Sequence, residues 1–210
     1  MISNKVNPKY NWDLLMNELS KSSDDKTGHC KDHSLRVLKI ALDIADSIEK
    51  VDYNVLVVAC ILHDISFSTH GPKGHAIKSA ELAEPILVKA GFSKEEIEKI
   101  KQAITRHDRN FSTKKEDHEH YLIEEQILCD ADRIDGLGAI GIIRGISFGI
   151  NHGRPYFVSK EDELNDSIYG SMKTYTKTAK IMFTKKGKEL AKERCKIMNE
   201  FLVQLEKEFQ

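Results

Sequence analysis

The sequence contains few residues that interrupt helices and little that resembles a β-strand. Only 4 prolines and 12 glycines occur in 210 residues. No stretch of useful length alternates polar and apolar residues, as a strand with one exposed face would. Apolar residues instead recur at helical spacing through most of the chain. These features predict an all-α protein, a helical bundle without a sheet.

Membrane helices and disulfide frameworks are not expected either. No run approaches the roughly 18 to 20 apolar residues that a membrane helix needs. Residues 1–10 contain no apolar segment of the kind found in signal peptides. The four cysteines form no CxxC pair, which argues against a disulfide framework and a structural zinc site. We therefore expect a soluble, cytoplasmic protein that does not interact with membranes.

The charge of the chain shows no bias towards either sign. Lys and Arg number 32, Asp and Glu number 33, and the formal net charge is −1. No global charge therefore indicates nucleic acid as a partner, although a local positive pocket remains compatible with so many basic residues. A chain of this length that is 40% hydrophobic can bury a sizeable core, and we expect a monomer or homodimer.

Hydrophobic periodicity and capping residues predict eight helices. Asp52 or Asn54 is expected to cap the third helix, and Ser93 with Glu96 forms a capping box before the fifth. In chain order the predicted helices lie around Trp12 to Leu19, about Asp32 to Lys50, a third that ends near His63 and Asp64, about His75 to Ala90, Ser93 to His107, Ile123 to Gly149, Glu163 to Lys180, and Lys185 to Phe209.

The end of the third predicted helix is the first candidate for chemistry. An unbroken uncharged run from Val55 to Leu62 is followed directly by His63 and Asp64. A carboxylate buried beside such a run is costly unless it is paired or bound to a metal. The alternative is a helix end that emerges into solvent, with Asp64 simply exposed. A second His-Asp pair, His107 and Asp108, shows that the dipeptide alone is weak evidence.

The second candidate is a central helix that combines aspartates with glycines. Asp130, Asp132 and Asp135 lie in an otherwise apolar segment, followed by glycines at near-helical spacing. Glycine is unfavourable inside a helix by about 1 kcal/mol relative to alanine, so several of them indicate another backbone packed closely against this one. The alternative role for these aspartates is pairing with Arg133, Arg144 or lysine side chains.

Histidines and aspartates from three apolar helices would together form a metal site. His33 lies on the apolar stripe of the second helix, where the alternative is a hydrogen-bonded core histidine. Two histidines and two aspartates offer a mixed nitrogen and oxygen donor set, which suits Mn, Fe, Co or Zn better than Mg or Ca. On a six-coordinate ion this set leaves positions for water and a substrate oxygen, which is a catalytic arrangement.

These residues resemble the metal-dependent phosphohydrolases of the HD-domain superfamily, and in particular a bacterial single-domain subgroup. The subgroup's DADRLDALGAIGIAR-like segment is similar to residues 130–144, which differ from it at Ile134, Gly136 and Ile143. Its opening segment is similar to residues 29–37, and its His-Ala-x-x-Ser-Ala segment to residues 75–80. The resemblance implies one domain over residues 1–210, with a metal-binding core at about 27–150 and C-terminal helices at about 161–209 packed on it.

The resemblance also implies a ligand set and a function. It assigns one divalent metal per chain to His33, His63, Asp64 and Asp132, with Mn expected first and Mg, Co, Ni, Fe or Zn as alternatives. The implied activity is hydrolysis of a small phosphate ester or phosphoanhydride, with a nucleotide as the expected substrate. Other expected roles are catalytic for Asp64, His29, His75 and His107, and substrate-binding for Lys73, Arg109, Arg133 and Arg144. For each histidine a capping or solvent-facing role is the alternative, and for each basic residue a surface charge.

Two functions from other classes stay open at this stage. One is a non-catalytic module of the same fold that senses a nucleotide. The other is an HD-fold di-iron oxygenase, which needs extra histidine ligands that His75 and His107 could supply. Metal stoichiometry distinguishes the oxygenase, because it requires two irons per chain.

Overall fold

The computed structural model describes residues 4–21, 31–108, 120–158 and 166–209. Within these ranges the chain forms α-helices and short 3₁₀ segments and no β-strand, so the predicted all-α class is confirmed. The helices are α1 (Trp12–Lys21), α2 (Lys31–Ala45), α3 (Tyr53–Leu62), α4 (Phe67–His70), α5 (His75–Ala90), α6 (Lys94–Arg106), α7 (Ile123–Asp135), α8 (Gly138–Asn151), α9 (Ile168–Tyr175) and α10 (Lys185–Phe209), with a 3₁₀ helix at Thr176–Ile181 between the last two.

Helix α3 is the centre of the hydrophobic core. Every residue from Val55 to Leu62 is buried, and the helix contacts α1, α2, α5, α6 and α7. A helix that is apolar on all sides is stable only when it is surrounded in this way. The Asp52 side chain caps its first turn by accepting hydrogen bonds from the backbone N–H groups of Asn54 (3.0 Å) and Val55 (3.2 Å). The polar residues that follow α3 therefore begin deep inside the protein.

The predicted capping box of α6 and the predicted bounds of α5 are confirmed. The capping box of α6 is present: the Ser93 hydroxyl accepts from the backbone N–H of Glu96, and the Glu96 carboxylate accepts from the N–H of Ser93. Helix α5 ends at Gly91 with a φ of +92°, a left-handed conformation that favours glycine. Helices α5 and α6 are joined at these two caps, and at the other end of the pair the first residue of α5, His75, lies next to His107, which follows α6.

The helix predicted from Ile123 to Gly149 is wrong as a single element, because the chain breaks after Asp135. The Gly136 N–H closes the last turn of α7 onto the carbonyl groups of Arg133 and Ile134, and Leu137 is extended. Gly138 then has a φ of +72°, which a residue with a side chain rarely adopts. The sequence predicts that these glycines allow close helix packing, but Gly138 also allows the turn that separates α7 from α8.

Three further expectations about element bounds need correction. Helix α2 ends at Ala45 rather than near Lys50, because the Ser47 hydroxyl and backbone N–H both bond to the Ile44 carbonyl and compete with helical pairing. The segment around residues 66–74 contains the short α4 rather than loop throughout. The predicted helix from Glu163 to Lys180 is α9 followed by the tighter 3₁₀ turn, and its expected start lies outside the described residues.

In the described part of the chain, no individual helix combines the length and apolar character needed to cross a membrane. One bent pair, residues 53–70 with residues 75–90, satisfies that test by length and composition only, with a bend of 117° between its two arms.

Candidate metal centre and adjoining cavity

Four side chains from three parts of the chain converge between α2, α3 and α7. His33 comes from the first turn of α2, His63 and Asp64 follow the last residue of α3, and Asp132 comes from α7. The Nε2 atom of His33 lies 3.2 Å from that of His63 and 3.2 Å from Oδ1 of Asp132. Asp64 Oδ2 lies 3.5 Å from both Nε2 atoms. The structure therefore brings together the four residues named as metal ligands.

The second ring nitrogen of each histidine fixes which atom faces this cluster. The Nδ1 atom of His33 lies 2.8 Å from Asp135 Oδ2, and that of His63 lies 2.9 Å from the Cys60 carbonyl oxygen. Carbonyl and carboxylate oxygens accept hydrogen bonds, so each Nδ1 carries the hydrogen and each Nε2 can present a lone pair. When both rings are neutral, the cluster consists of acceptor atoms that face one another. The chemistry of this donor set fits a divalent cation.

A second cluster shares Asp64 with the first. The other carboxylate oxygen of Asp64, Oδ1, lies 3.1 Å from His75 Nε2 and 3.4 Å from His107 Nε2. These two Nε2 atoms are 3.2 Å apart. Their Nδ1 atoms donate to the carbonyl oxygens of Pro72 and Ile104. Asp64 therefore bridges two triads of buried groups that could each hold a metal ion.

The pKa values of the histidines in the two clusters are shifted in different directions. Burial opposes protonation of His33, but hydrogen bonds to Asp132, Asp135 and Asp64 outweigh it and raise its pKa to about 10. Burial dominates at His63 and lowers its pKa to about 4. Burial also opposes protonation of His75, yet its hydrogen bond to Asp64 raises its pKa to about 9. A cation on any of the raised rings would have to displace a proton.

Asp135 supports the first cluster and was not predicted as a site residue. It is fully buried, and its Oδ2 faces His33 Nδ1. Arg36 donates to both of its oxygens at 2.8 and 3.0 Å, and Arg144 donates to Oδ2 at 2.9 Å. Burial favours the neutral form of Asp135, but these hydrogen bonds and charges lower its pKa to about 2. The carboxylate is thus held ionised and fixes the orientation of the His33 ring.

Asp130 has a structural environment that is separate from both clusters. Its oxygens accept from the backbone N–H groups of Phe183 and Thr184, each at 2.8 Å, and from the Thr184 hydroxyl at 2.8 Å. These residues lie at the start of α10. Asp130 therefore connects α7 to the segment that leads into the last helix, and its carboxylate is not part of the cluster that contains Asp132.

A cavity of about 330 Å³ opens beside Asp64 and Asp132, within the size range of small-molecule sites. Helices α8 and α9 form its far wall, where glycines of α8 let the two helices approach closely. A Cβ at Gly145 would lie 2.9 Å from Met172, and one at Gly149 would overlap the side chain of Ile168. The other residues that line the cavity include Phe67, Pro72, His75, His107, Asp108, Gly136, Arg144, Phe148, Arg154, Ser171, Tyr175 and Met198.

The remaining predicted site residues are distributed unevenly around this cavity. Arg144 lines it while bonded to Asp135. Arg133 is buried and Lys73 is exposed, and neither is among the lining residues, so the expected substrate contacts of these two are not supported. The predicted roles of His29 and Arg109 fall outside the described residues.

Sequence reasoning also missed the residues that α8 and α9 contribute to the cavity. Arg154 donates to the Ser171 hydroxyl at 2.8 Å, and its guanidinium lies 5.5 Å from the centre of the Phe148 ring. Tyr175 closes the wall next to Gly136. The glycine spacing of α8 signalled a close neighbour, but it did not identify that neighbour as α9. Asp135 had a local signal, because it lies three residues after Asp132 on the same helical face.

Comparison with known proteins gives consistent relatives along nearly the whole chain. YpgQ, an uncharacterized protein of Bacillus subtilis (strain 168), is 29% identical over 189 residues, which span 89% of this chain and 87% of YpgQ. The crystal structure of YpgQ in complex with ADP superimposes with a TM-score of 0.72 at 26% identity, covering 92% of this chain and 97% of that one.

Two further crystal structures share the fold. One, from Lactobacillus plantarum, has a TM-score of 0.77 at 23% identity and covers 97% of this chain and 98% of its own. The other, described as a predicted HD superfamily hydrolase from an uncultured Thermotogales bacterium, has a TM-score of 0.63 at 24% identity and covers 95% of this chain and 92% of that one.

The family model of the HD domain matches residues 31–137, which is just over half of the sequence. The matched region begins two residues before His33 and continues past Asp135, so it contains all six histidines and aspartates of the two clusters as well as Asp135. With this match and the converging side chains in agreement, the chain belongs to the HD-domain family.

Proposed function

We propose that this protein is a metal-dependent phosphohydrolase that acts on a small phosphate ester or phosphoanhydride, with a nucleotide as its substrate. The observation that carries this proposal is the position of Asp64, a buried carboxylate whose two oxygens face two histidine pairs at the edge of a cavity. Membership of the HD-domain family supports the hydrolase assignment.

His33, His63, Asp64 and Asp132 would hold one divalent ion. Two nitrogen and two oxygen donors favour manganese or another transition metal over calcium or magnesium. When bound, such an ion supplies Lewis-acid polarisation of a phosphoryl oxygen and lowers the pKa of a water molecule. Asp135 orients His33, and the Cys60 carbonyl orients His63, so the protein fixes both rings before a substrate arrives.

His75 and His107 would act on the substrate from the opposite side of Asp64. Burial works against their charged forms, but Asp64 raises the pKa of both rings. The pKa of His75 is about 9, so its ring is protonated at neutral pH when no metal occupies its Nε2 atom. An imidazolium group at the cavity edge would neutralise charge that develops on phosphorus, and it could give a proton to a leaving oxygen, with His107 beside it as a second polar group.

The cavity is consistent with a nucleotide. Its walls are mostly apolar, and Phe148 offers a ring face beside the guanidinium of Arg154. A phosphate chain at Asp64 would leave the sugar and base along the α8–α9 wall, where aromatic and apolar contact is available. The relative YpgQ was crystallised with ADP, which supports the same ligand class for this chain.

A di-iron oxygenase remains the second candidate, because the triad of Asp64, His75 and His107 could hold a second ion. Counting the metals separates the two functions. Two irons per chain together with oxygen consumption would favour the oxygenase. One manganese per chain together with phosphate release would favour the hydrolase.

The test of the proposal is a panel of nucleotides and phosphoesters, assayed for orthophosphate and for pyrophosphate with Mn, Co, Ni and Mg. We expect at least one nucleotide to be hydrolysed with Mn, and Asp64→Ala to abolish both metal binding and turnover. Asp43→Ala, which removes an exposed carboxylate of α2, is the matched control and should change neither metal binding nor turnover. An Asp64→Ala variant that kept its metal and its activity would show that the metal site is wrongly assigned. Absence of any hydrolysis in the wild type would reject the phosphohydrolase.

A further inference from the structure

The ring of Tyr175 occupies space that only a glycine at position 136 leaves open. A Cβ at Gly136 would lie 2.6 Å from both Cζ and the hydroxyl oxygen of Tyr175. The backbone of Gly136 has φ −80° and ψ 3°, a conformation open to residues with a side chain. The backbone therefore does not require glycine here. What glycine provides is room for the phenol of Tyr175 against the end of α7.

The hydroxyl of Tyr175 differs from those of other tyrosines in the protein. The hydroxyl of Tyr169, on the same helix, accepts from Lys173 at 3.1 Å, and that of Tyr53 donates to Asp46 at 3.1 Å. In the described part of the chain no hydrogen bond engages the hydroxyl of Tyr175, and its residue lines the cavity beside Asp64 and Asp132. Tyr175 is half-buried and lines the cavity, so its hydroxyl is available to donate a hydrogen bond to a molecule bound there.

The surroundings keep this phenol in its protonated form. Burial raises the pKa of Tyr175 well above its usual range, and the nearby charge of Asp132 raises it further, against the opposing effect of Arg144 and Arg133. The hydroxyl is therefore a hydrogen-bond donor at every working pH. Beside acidic groups such as Asp132, a neutral donor can hold an anionic oxygen that the carboxylates would repel.

We propose that Tyr175 is a substrate-contacting residue whose hydroxyl donates a hydrogen bond to a phosphoryl oxygen in the cavity, and that Gly136 is the residue that admits its ring. The inference rests on the proposed function, since it takes its ligand from the phosphate chemistry assigned to the same cavity. It adds a donor from α9 to the same cavity that His75 and His107 line.

The experiment compares Tyr175→Phe with Tyr169→Phe, a matched control that removes a hydroxyl from the same helix but outside the cavity lining. Affinity for ADP is measured by calorimetry on the manganese-loaded proteins, along with melting temperature, manganese affinity, kcat and KM. We expect Tyr175→Phe to weaken ADP binding about tenfold, because one hydrogen bond to a charged group is lost. The melting temperature and the manganese affinity should not change. Tyr169→Phe should bind ADP as the wild type does.

Gly136→Ala tests the other half of the inference. Its methyl group should displace the phenol and weaken ADP binding at least as much as Tyr175→Phe does. In the double variant, adding Gly136→Ala to Tyr175→Phe should weaken ADP binding little further. Wild-type ADP affinity and turnover in Tyr175→Phe would overturn the inference while leaving the hydrolase proposal intact. If the wild type hydrolyses no substrate but the Tyr175→Phe substitution still lowers ADP affinity, the hydrolase proposal is rejected and the proposed Tyr175 contact is retained. If manganese-loaded wild type bound neither ADP nor inorganic phosphate, the inference would be overturned.

Discussion

The two sides of Asp64 are built from the same residue types but are supported in different ways. On one side, His33 and His63 are fully buried, and Asp132 adds a second carboxylate. On the other side, His75 and His107 are held by backbone carbonyl groups, and both rings border the cavity. Asp135 with its two arginines supports only the first side.

From this difference we predict that the two sides have different roles in the proposed site. The first side offers four donors, is closed to solvent at its histidines and has an ionised carboxylate behind His33, which suits a tightly held cation. The second side has three donors and an opening, so it can exchange a proton, a ligand or an ion during a reaction. We therefore expect variants on the first side to lose the metal, and variants on the second side to keep the metal and lose turnover.

The largest expected effect is the contrast between His63→Ala and His75→Ala. We expect His63→Ala to lose its metal and to lower kcat by at least about three orders of magnitude, because the other ligands cannot complete the set. His75→Ala should keep one metal per chain and lower kcat about 100-fold, as loss of a general acid or a charge-stabilising group does. Metal analysis of dialysed protein and steady-state kinetics measure both quantities. Equal metal loss in the two variants would remove the distinction between the sides.

A smaller effect should separate two aspartates on the same helix. Asp135→Asn removes the charge that orients His33, and we expect manganese to bind 10- to 100-fold more weakly, a range typical for the partner of a ligating histidine. Asp130→Asn should leave manganese affinity unchanged but lower the free energy of unfolding by about 2 kcal/mol, because a buried charged acceptor at the start of α10 is lost. Calorimetric titration and urea unfolding provide the two readouts. The reverse pattern would mean that their roles have been exchanged.

The smallest and most graded effect is the response of metal binding to pH. With a pKa of about 10, His33 carries a proton on the metal-free chain at neutral pH, and a cation must displace it. Manganese affinity should therefore fall about tenfold for each unit that the pH is lowered between 8 and 6. The same pKa is raised relative to 6.5, so its stabilisation of the metal-free fold is present below 6.5 and lost as the pH rises through 10. Titrations at three pH values measure the slope, and a flat response would exclude proton displacement.

The sequence was sufficient for the core helices and for the convergence at Asp64. The uncharged run of α3 and the stripe of α2 are strong local signals, and they bring His33 and His63 together because both helices must bury those faces. Whether these residues ligate a metal stays a prediction that the titrations above can test.

Other features had no comparable local signal. The break at Gly136 was hidden because glycines in a helical pattern also fit tight packing, and both explanations apply here. The α8–α9 wall depends on contacts between residues more than 20 positions apart, such as Gly145 with Met172. For Lys73 and Arg133 the sequence shows a charge, and charge does not indicate which way a side chain points.

Asp130 and Asp132 give α7 an unusual evolutionary constraint. The two residues lie roughly 200° apart around the helix, so one faces the start of α10 and the other faces His33. Inserting or deleting one residue upstream in α7 would rotate both by about 100° and disconnect both at once. In contrast, the segment after Asn151 can change length without moving either carboxylate. We expect related sequences to vary in length there and to keep the spacing within α7 fixed.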